Sequence, residues 1–132
     1  MQNKKVEQQG CNGLVEQIES GAFDSARTVQ LLEQYLAPMR QQEADQIVLG
    51  CTHYGFLSAQ ITALIGDSVQ LVNTSAAIAK QASQVLASGG LLSSTALDGQ
   101  VEVFTNTSNP DFDGIVSTLW GQSLAPIHHF NE

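Results

Sequence analysis

The chain has 132 residues, 42% of them hydrophobic, so it can bury one moderate core but is short for two complete domains. Its 13 acidic and five basic residues give a net charge of −8 without a block of like charges, which argues against nucleic acid as a partner because phosphate binding needs clustered Lys and Arg. Residues 1–10 lack an apolar signal core, and no segment approaches the roughly 20 apolar residues of a membrane span. We therefore expect a soluble, cytoplasmic protein with neither a nucleic-acid nor a membrane partner.

Helix and strand signals alternate in the first half of the chain. A helix is indicated over residues 28–41, where apolar side chains recur at helical spacing: Val29, Leu32, Leu36 and Met39. The short apolar run at residues 46–50 is typical of a strand buried on both faces. A polar turn over residues 51–55 then leads into a second helix, predicted for residues 56–65 from its apolar positions Leu57, Ile61, Leu64 and Ile65.

The same alternation continues in the second half. We predict a strand over residues 69–72 and an Ala-rich helix over residues 76–86, with three side chains facing inward: Ile78, Ala82 and Val85. A Gly- and Ser-rich loop over residues 87–99 precedes a strand at residues 101–105, a short helix that begins near Asn109, and a final edge strand within residues 124–130. This order predicts an α/β fold in which crossover helices join parallel strands.

Cys51 is the residue at which chemistry is expected. It directly follows a predicted parallel strand, and ligands of open parallel sheets bind beyond the carboxyl ends of the strands. The N-terminus of the next helix favours a thiolate there, and His53 is close enough in sequence to exchange protons with it. The pattern alone leaves two interpretations open, because an isolated cysteine is commonly a small buried hydrophobe and His53 is equally suited to capping the next helix.

The segment VLGCTHY, residues 48–54, resembles the second active-site signature of the glutamate racemases, which belong to the aspartate/glutamate racemase superfamily. The resemblance extends in both directions. GCNGLVEQIESG at residues 10–21 is similar to the family's Cys-Pro-containing segment that ends in Glu and Gly, and YLAPM at residues 35–39 is similar to the helix before the signature strand. LVNTSAAIA at residues 71–79 and the segment at residues 103–110 are similar to later elements, so nearly the whole chain is covered in the family's order.

The resemblance implies roles for four residues. Cys51 would be one of the two thiols that remove or return the α-proton of an amino acid without a cofactor, with Thr52 contacting the substrate and His53 assisting the thiol. Glu19, 32 positions before Cys51, would help to poise that thiol. Aspartate racemases typically carry Glu at the position of His53, so the resemblance favours glutamate as the substrate and D-glutamate supply for peptidoglycan as the role.

Simpler interpretations apply to several of these residues. Without the resemblance, Glu19 would be an ordinary surface charge. Cys11 has no neighbouring base in the sequence and stands where the family has a non-catalytic residue, so we expect a structural role. His128 and His129 are adjacent on a predicted strand and would point to opposite faces, and two ligands are too few for zinc. We expect no metal and no cofactor.

The departures from the family pattern are informative. Gly55 stands where the family usually has Pro, and Asn73 where Asp is usual. The family's N-terminal third, which carries the other thiol, has no counterpart in this sequence. We expect residues 1–88 to form a partial racemase-like domain and residues 89–132 to form a loop and a terminal β-α-β segment that, in the family, packs with the N-terminal domain.

Two hypotheses remain. In the first, the chain is half of a racemase, active with a complementary half or as a homo-oligomer that presents two Cys51 thiols. In the second, it is a truncated, inactive remnant or a small-molecule binding module with the same fold. A second thiol turn would distinguish them, because inverting a stereocentre requires an acid and a base on opposite faces of the α-carbon. The apolar residues of the terminal segment favour association in either case: Phe104, Phe112, Trp120 and Phe130.

Overall fold

The computed structural model describes residues 5–94, 99–124 and 126–130. The chain forms two compact units, Met1–Ile78 and Ala79–Glu132. The described elements are, in chain order, α1 (Leu14–Glu19), α2 (Ala26–Gln41), β1 (Gln46–Val48), a 3₁₀ helix (Thr52–Leu57), α3 (Ser58–Ile65), β2 (Gln70–Val72), α4 (Ser75–Ser88), β3 (Val103–Thr105), α5 (Phe112–Trp120) and β4 (Ile127–His129). None of the helices in these ranges is both long and apolar enough to cross a membrane.

The first unit is built around a parallel strand pair. β1 and β2 lie side by side with Ile47 opposite Leu71, and the 3₁₀ helix and α3 form the crossover between them. The pairing continues past the end of β1, where the Leu49 amide donates to the Val72 carbonyl at 3.0 Å. The predicted α/β fold with parallel strands and crossover helices is thereby confirmed.

The core of the first unit comes from its helices and from the strand region around β1. Its buried apolar side chains are Leu14, Ile18, Leu31, Leu32, Leu36, Ile47, Leu49, Leu57, Ile61 and Ile65. Most of the predicted inward positions of α2 and α3 are confirmed, but Val29 is exposed and its neighbour Thr28 is fully buried. Thr28 is satisfied there because its hydroxyl donates to the Ala22 carbonyl at 2.6 Å and its amide donates to the N-cap hydroxyl of Ser25 at 3.0 Å.

The prediction that β1 is buried on both faces is wrong. Ile47 is buried, whereas Val48 is 61% exposed and Gln46 is exposed as well. Successive side chains of a strand point to opposite faces, so only the Ile47 side of β1 is covered. An apolar run identifies a strand but does not reveal whether elements pack against both of its faces.

The prediction of inward-facing residues on α4 is also wrong. No side chain of this helix is buried: Ile78 is 62% exposed, and Ala82 and Val85 are exposed too. The helix itself forms as expected, and it begins where the side-chain oxygen of Asn73 accepts the Ser75 amide at 3.0 Å. Its apolar stripe has the spacing of a core-facing helix, but no described element covers it.

The second unit contains its own parallel strand pair. β3 pairs with β4, with Phe104 opposite His128, and α5 connects them. The predicted strand, helix and final strand are therefore confirmed, with Pro126 just before β4 rather than inside it. Among the described residues of this unit only Thr105 is buried, so the unit has the topology of an α/β motif without an enclosed core.

Shortening a core side chain of the first unit should destabilise the protein far more than the same change at an exposed position. Leu32 is 2% exposed and Leu92 is 54% exposed. We expect Leu32→Ala to lower the free energy of unfolding by about 3 kcal/mol, because transfer and cavity costs add, and Leu92→Ala to change it little. Urea denaturation followed by far-ultraviolet circular dichroism measures both, and equal losses would contradict the assigned core.

Candidate active site

Cys51 lies just beyond the carboxyl end of β1, at the N-cap of the 3₁₀ helix. Its backbone is still extended, with φ −126° and ψ 137°, and its carbonyl accepts the Tyr54 amide at 3.2 Å to close the first turn. The side chain is half-buried and the thiol is free. β1 therefore places Cys51 at the carboxyl end of the sheet, and the 3₁₀ helix begins directly after it.

A histidine and a carboxylate continue from this thiol in a hydrogen-bonded series. Nδ1 of His53 lies 3.8 Å from Sγ of Cys51, and Nε2 of the same ring lies 3.1 Å from Oε1 of Glu19. The three side chains come from two segments 32 positions apart, and the structure brings them together. Cys51 and His53 are half-buried, whereas Glu19 is exposed.

The position of Glu19 depends on how α1 is held. Ile18, the preceding residue, is fully buried. One residue earlier, Oε1 of Gln17 accepts the Ser25 hydroxyl at 3.0 Å, which joins α1 to the N-cap of α2. Glu19 is the last residue of α1, where the helix dipole disfavours a negative charge, so an imidazole is a favourable neighbour for it.

This series sets the direction in which a proton can move. An ionised carboxylate only accepts hydrogen bonds, so Glu19 holds the ring proton of His53 on Nε2. Nδ1 is then left with a lone pair directed at the Cys51 thiol and can take its proton. The arrangement has the logic of a nucleophile, a base and a group that orients the base. It can produce a thiolate at the end of β1.

Thr52 stands between Cys51 and His53 in the sequence. It is the first residue of the 3₁₀ helix and its side chain is exposed. Thr52 thus follows Cys51 directly in the sequence with an exposed side chain, whereas Glu19 and His53 lie in the hydrogen-bonded series.

Sequence reasoning missed two neighbours of the site, Cys11 and Tyr54. The Tyr54 hydroxyl donates to the Cys11 carbonyl at 3.4 Å. Burial raises the pKa of the Cys11 thiol, and the nearby Cys51 thiol raises it further, while a hydrogen bond with Tyr54 opposes both. Burial also raises the pKa of Tyr54, with smaller contributions from the two thiols. The available signal was the position of Cys11, three residues before α1, the helix that carries Glu19.

The two departures from the family pattern contact each other. A Cβ atom placed on Gly55 would lie 3.0 Å from Nδ2 of Asn73, closer than ordinary packing allows. Gly55 belongs to the 3₁₀ helix and Asn73 follows β2, so the contact joins the carboxyl ends of both strands. Absence of a side chain at position 55 is what makes room for the amide at position 73.

The two C-terminal histidines lie in the second unit and have different partners. His128 stacks on Phe104 with ring centroids 4.6 Å apart, and Nε2 of His129 lies 2.9 Å from Oδ1 of Asp113. The two imidazole rings therefore contact different residues, as expected for adjacent residues on a strand. Within the described ranges no three His, Cys, Asp or Glu side chains are grouped as a metal site requires.

Solved structures show which class of fold this is. Glutamate racemase isoform RacE1 from Bacillus anthracis superposes with a TM-score of 0.81 at 27% identity, over 96% of this chain and 47% of that one. Glutamate racemase from Francisella tularensis, solved in complex with D-glutamate, has the same TM-score at 19% identity, again over 96% and 47%. The fold is thus that of about half of a racemase, with a Cys-centred polar site at a strand end.

Sequence comparison gives the family. Residues 1–82 match the family described as Asp/Glu/Hydantoin racemase, and the chain belongs to this family. The glutamate racemase of Herpetosiphon aurantiacus is 42% identical over 115 residues, which are 87% of this chain and 45% of that protein. The chain thus spans less than half the length of the relatives that it matches, and the resemblance to glutamate racemases is confirmed.

The two thiols should differ in reactivity. We expect iodoacetamide to alkylate Cys51 faster than Cys11 near neutral pH, because the thiolate is the reactive form and burial raises the pKa of Cys11. The rate at Cys11 should climb only as the pH rises toward that raised pKa. Rates against pH for Cys11→Ser and Cys51→Ser, each with one remaining thiol, provide the measurement. Faster reaction of Cys11 at pH 7 would reverse the assignment.

Proposed function

We propose that this chain supplies one thiol half-site of a cofactor-independent glutamate racemase, an isomerase that inverts the α-carbon of glutamate. The observation that carries the proposal is the hydrogen-bonded series of Cys51, His53 and Glu19 at the carboxyl end of β1. Membership of the Asp/Glu/hydantoin racemase family supports it independently. In bacteria that build peptidoglycan, D-glutamate made in the cytoplasm would be the product consumed.

In the proposed mechanism Cys51 acts as the base on one face of the substrate. His53 takes the thiol proton on Nδ1, and the resulting thiolate removes the α-proton of glutamate to leave a carbanion. Glu19 stabilises the imidazolium that forms and keeps the ring in place. In the reverse direction, the Cys51 thiol returns a proton to the α-carbon, and His53 restores the thiol. Thr52, exposed beside the thiol, is assigned to substrate contact.

Inversion also needs a group on the opposite face of the α-carbon. A single thiol that returned the proton to the face from which it came would leave the configuration unchanged. We assign the second thiol to a complementary racemase half that carries the remaining part of the family's length, or to Cys51 of a second copy. Since the chain spans less than half of its relatives, the complementary half is the favoured source.

Glutamate is the substrate that we assign. The residue after Cys51-Thr52 is His53, whereas Glu is typical there in aspartate racemases. The matched relatives are glutamate racemases, and the Francisella tularensis structure holds D-glutamate. Substrate discrimination, however, depends on side chains from both halves of a closed site, so the assignment is to be tested with glutamate and aspartate in parallel.

The surface of the second unit supports a partner. Its exposed large apolar side chains are Val85, Leu86, Leu91, Leu92, Val101, Phe104, Trp120 and Phe130. Large apolar side chains that are exposed in such number mark a candidate interface where they adjoin one another. We propose that this surface packs on the complementary half when that half is present and on a second copy otherwise.

The purified chain should not racemise glutamate by itself, and activity should appear when a complementary half is added. The part of the Herpetosiphon aurantiacus relative outside the 45% that this chain matches is a suitable partner. Deuterium incorporation at the α-carbon in heavy water, followed by chiral chromatography, measures the reaction. Enzyme-rate exchange in both enantiomers by the chain alone would contradict the need for a complementary half and would leave Cys51 of a second copy as the source of the second thiol. Exchange absent from every mixture would favour the inactive remnant or binding module.

In an active mixture the three site residues should differ in their effects on kcat. Cys51→Ser should abolish inversion, and His53→Gln should lower kcat by ~10²-fold because a positioned general base is lost. Glu19→Gln should cause a smaller loss, because it keeps the shape but not the charge that stabilises the imidazolium. Glu16→Gln is the matched control, since Glu16 lies on the same helix outside the hydrogen-bonded series. Equal effects of Glu19→Gln and Glu16→Gln on kcat would contradict the role assigned to Glu19.

Without a partner the chain should associate with itself. We expect sedimentation velocity at high micromolar concentration to show a homodimer or larger species that decreases on dilution. Trp120→Gln should weaken association because Trp120 is among the exposed apolar groups of the second unit. Val6→Gln, at an exposed position of the first unit, is the control. A monomer at every concentration that binds no hydrophobic dye would show that the surface needs no partner.

A further inference from the structure

The neighbourhood of Cys11 and Cys51 points to chemistry beyond proton transfer. We propose that the two thiols form a reversible intramolecular disulfide when the chain meets a peroxide, and that Cys11 is the resolving thiol. Both cysteines are free and half-buried, and both belong to the first unit. Catalysis as proposed above makes no use of Cys11.

A shared contact brings the Cys11 segment to the Cys51 turn. The Tyr54 hydroxyl reaches the Cys11 carbonyl at 3.4 Å, and the Tyr54 amide is bonded to the Cys51 carbonyl at 3.2 Å. Tyr54 thus bridges the two cysteine backbones through its own side chain and main chain. The electrostatic effect of each thiol on Tyr54, and of Cys51 on Cys11, agrees with one shared neighbourhood.

Each thiol can leave its present partner at little cost. Sγ of Cys11 contacts the Gln9 carbonyl at 3.6 Å, and Sγ of Cys51 contacts Nδ1 of His53 at 3.8 Å, and a thiol forms only weak hydrogen bonds. A disulfide requires the sulfur atoms to approach to about 2.0 Å. These contacts therefore offer little resistance to the approach.

The segment that carries Cys11 is also free of regular structure. Residues 5–11 belong to no helix or strand, and residues 5–10 are exposed. Side-chain hydrogen bonds join residues 5–10 to the rest of the unit, among them Lys5 to Gln42 at 2.9 Å and Gln42 to Glu7 at 2.7 Å. Gly10 and Gly13 flank the cysteine, and Gly13 already has a positive φ of 89°. Backbone of this kind shifts without breaking a helix or strand ladder.

The chemistry balances with peroxide as the oxidant. The Cys51 thiolate attacks one oxygen of hydrogen peroxide, the O–O bond breaks, and water leaves after protonation, so Cys51 becomes a sulfenic acid. The Cys11 sulfur then attacks the Cys51 sulfur, the S–O bond breaks, and a second water leaves. Two thiols are oxidised to one disulfide while peroxide is reduced to two waters. Dithiothreitol reduces the disulfide to the two thiols, whereas it does not reduce a sulfinic acid.

The consequence for racemisation rests on the proposed function. In the disulfide, Cys51 has neither a thiolate to accept the α-proton nor a thiol proton to return. Oxidation would therefore switch the half-site off, and reduction would restore it. Cys11 would also protect Cys51 from irreversible oxidation, because the disulfide competes with the next step to sulfinic acid.

The test uses the full chain and needs no racemase activity. The reduced protein is exposed to hydrogen peroxide, denatured, treated with iodoacetamide and analysed as the intact mass and as peptides without reduction. We expect loss of two hydrogens, loss of both alkylatable thiols and a cross-linked pair of peptides containing Cys11 and Cys51. In Cys11→Ser, Cys51 should instead accumulate sulfinic acid at least about ten-fold faster than in the parent chain.

Three outcomes would overturn the proposal. One is equal accumulation of Cys51 sulfinic acid in the parent and in Cys11→Ser. Another is cross-linking between chains that grows with protein concentration, in place of an intramolecular bond. A third is retention of both thiols by the parent chain in peroxide, with circular dichroism showing that the parent and Cys51→Ser are folded. If the disulfide forms but no mixture racemises glutamate, the redox site stands and the proposed function fails.

Discussion

The contact between His53 and Glu19 is the constraint on which the site depends. An imidazole on a turn can rotate about two bonds, and a carboxylate 3.1 Å from Nε2 fixes both its orientation and the nitrogen that carries the proton. That carboxylate is in place only because α1 packs its buried face, Leu14 and Ile18, into the core of the first unit. Apolar packing on one side of a short helix thus determines which nitrogen of His53 faces the thiol of Cys51.

The two units differ in the extent to which they bury their own apolar side chains. The first encloses a core in which α1, α2, α3 and the 3₁₀ helix contribute buried groups. The second has strands and a helix in regular pairing, yet only Thr105 among its described residues is buried. Each strand pair is in regular parallel register, whereas the apolar side chains of the second unit stay largely exposed. The proposal of an active site shared between two polypeptide parts agrees with that imbalance.

Much of this arrangement is predictable from the sequence, and the limits have physical causes. Periodicity located α2 and α3, and an apolar run followed by Cys51 located the strand end, because these signals are local. The same signals misjudged Val48 and Ile78, since a stripe of apolar residues does not reveal whether anything covers it. Spacing drew attention to Cys51 and His53 but left their roles open, whereas Glu19, 32 positions earlier, came only from family resemblance. The approach of Cys11 arises from tertiary packing that no local pattern encodes.

The contact between Gly55 and Asn73 makes the residues tolerated at these two positions depend on each other. A Cβ at position 55 would press on an amide whose oxygen already accepts the Ser75 amide at 3.0 Å, so the change would propagate to the start of α4. A larger residue at 55 would require the Asn73 amide to move by a few tenths of an ångström, and that movement would act on the bond to Ser75. The two sites should therefore vary together among close relatives, and their substitutions should be epistatic even though neither residue belongs to the hydrogen-bonded series.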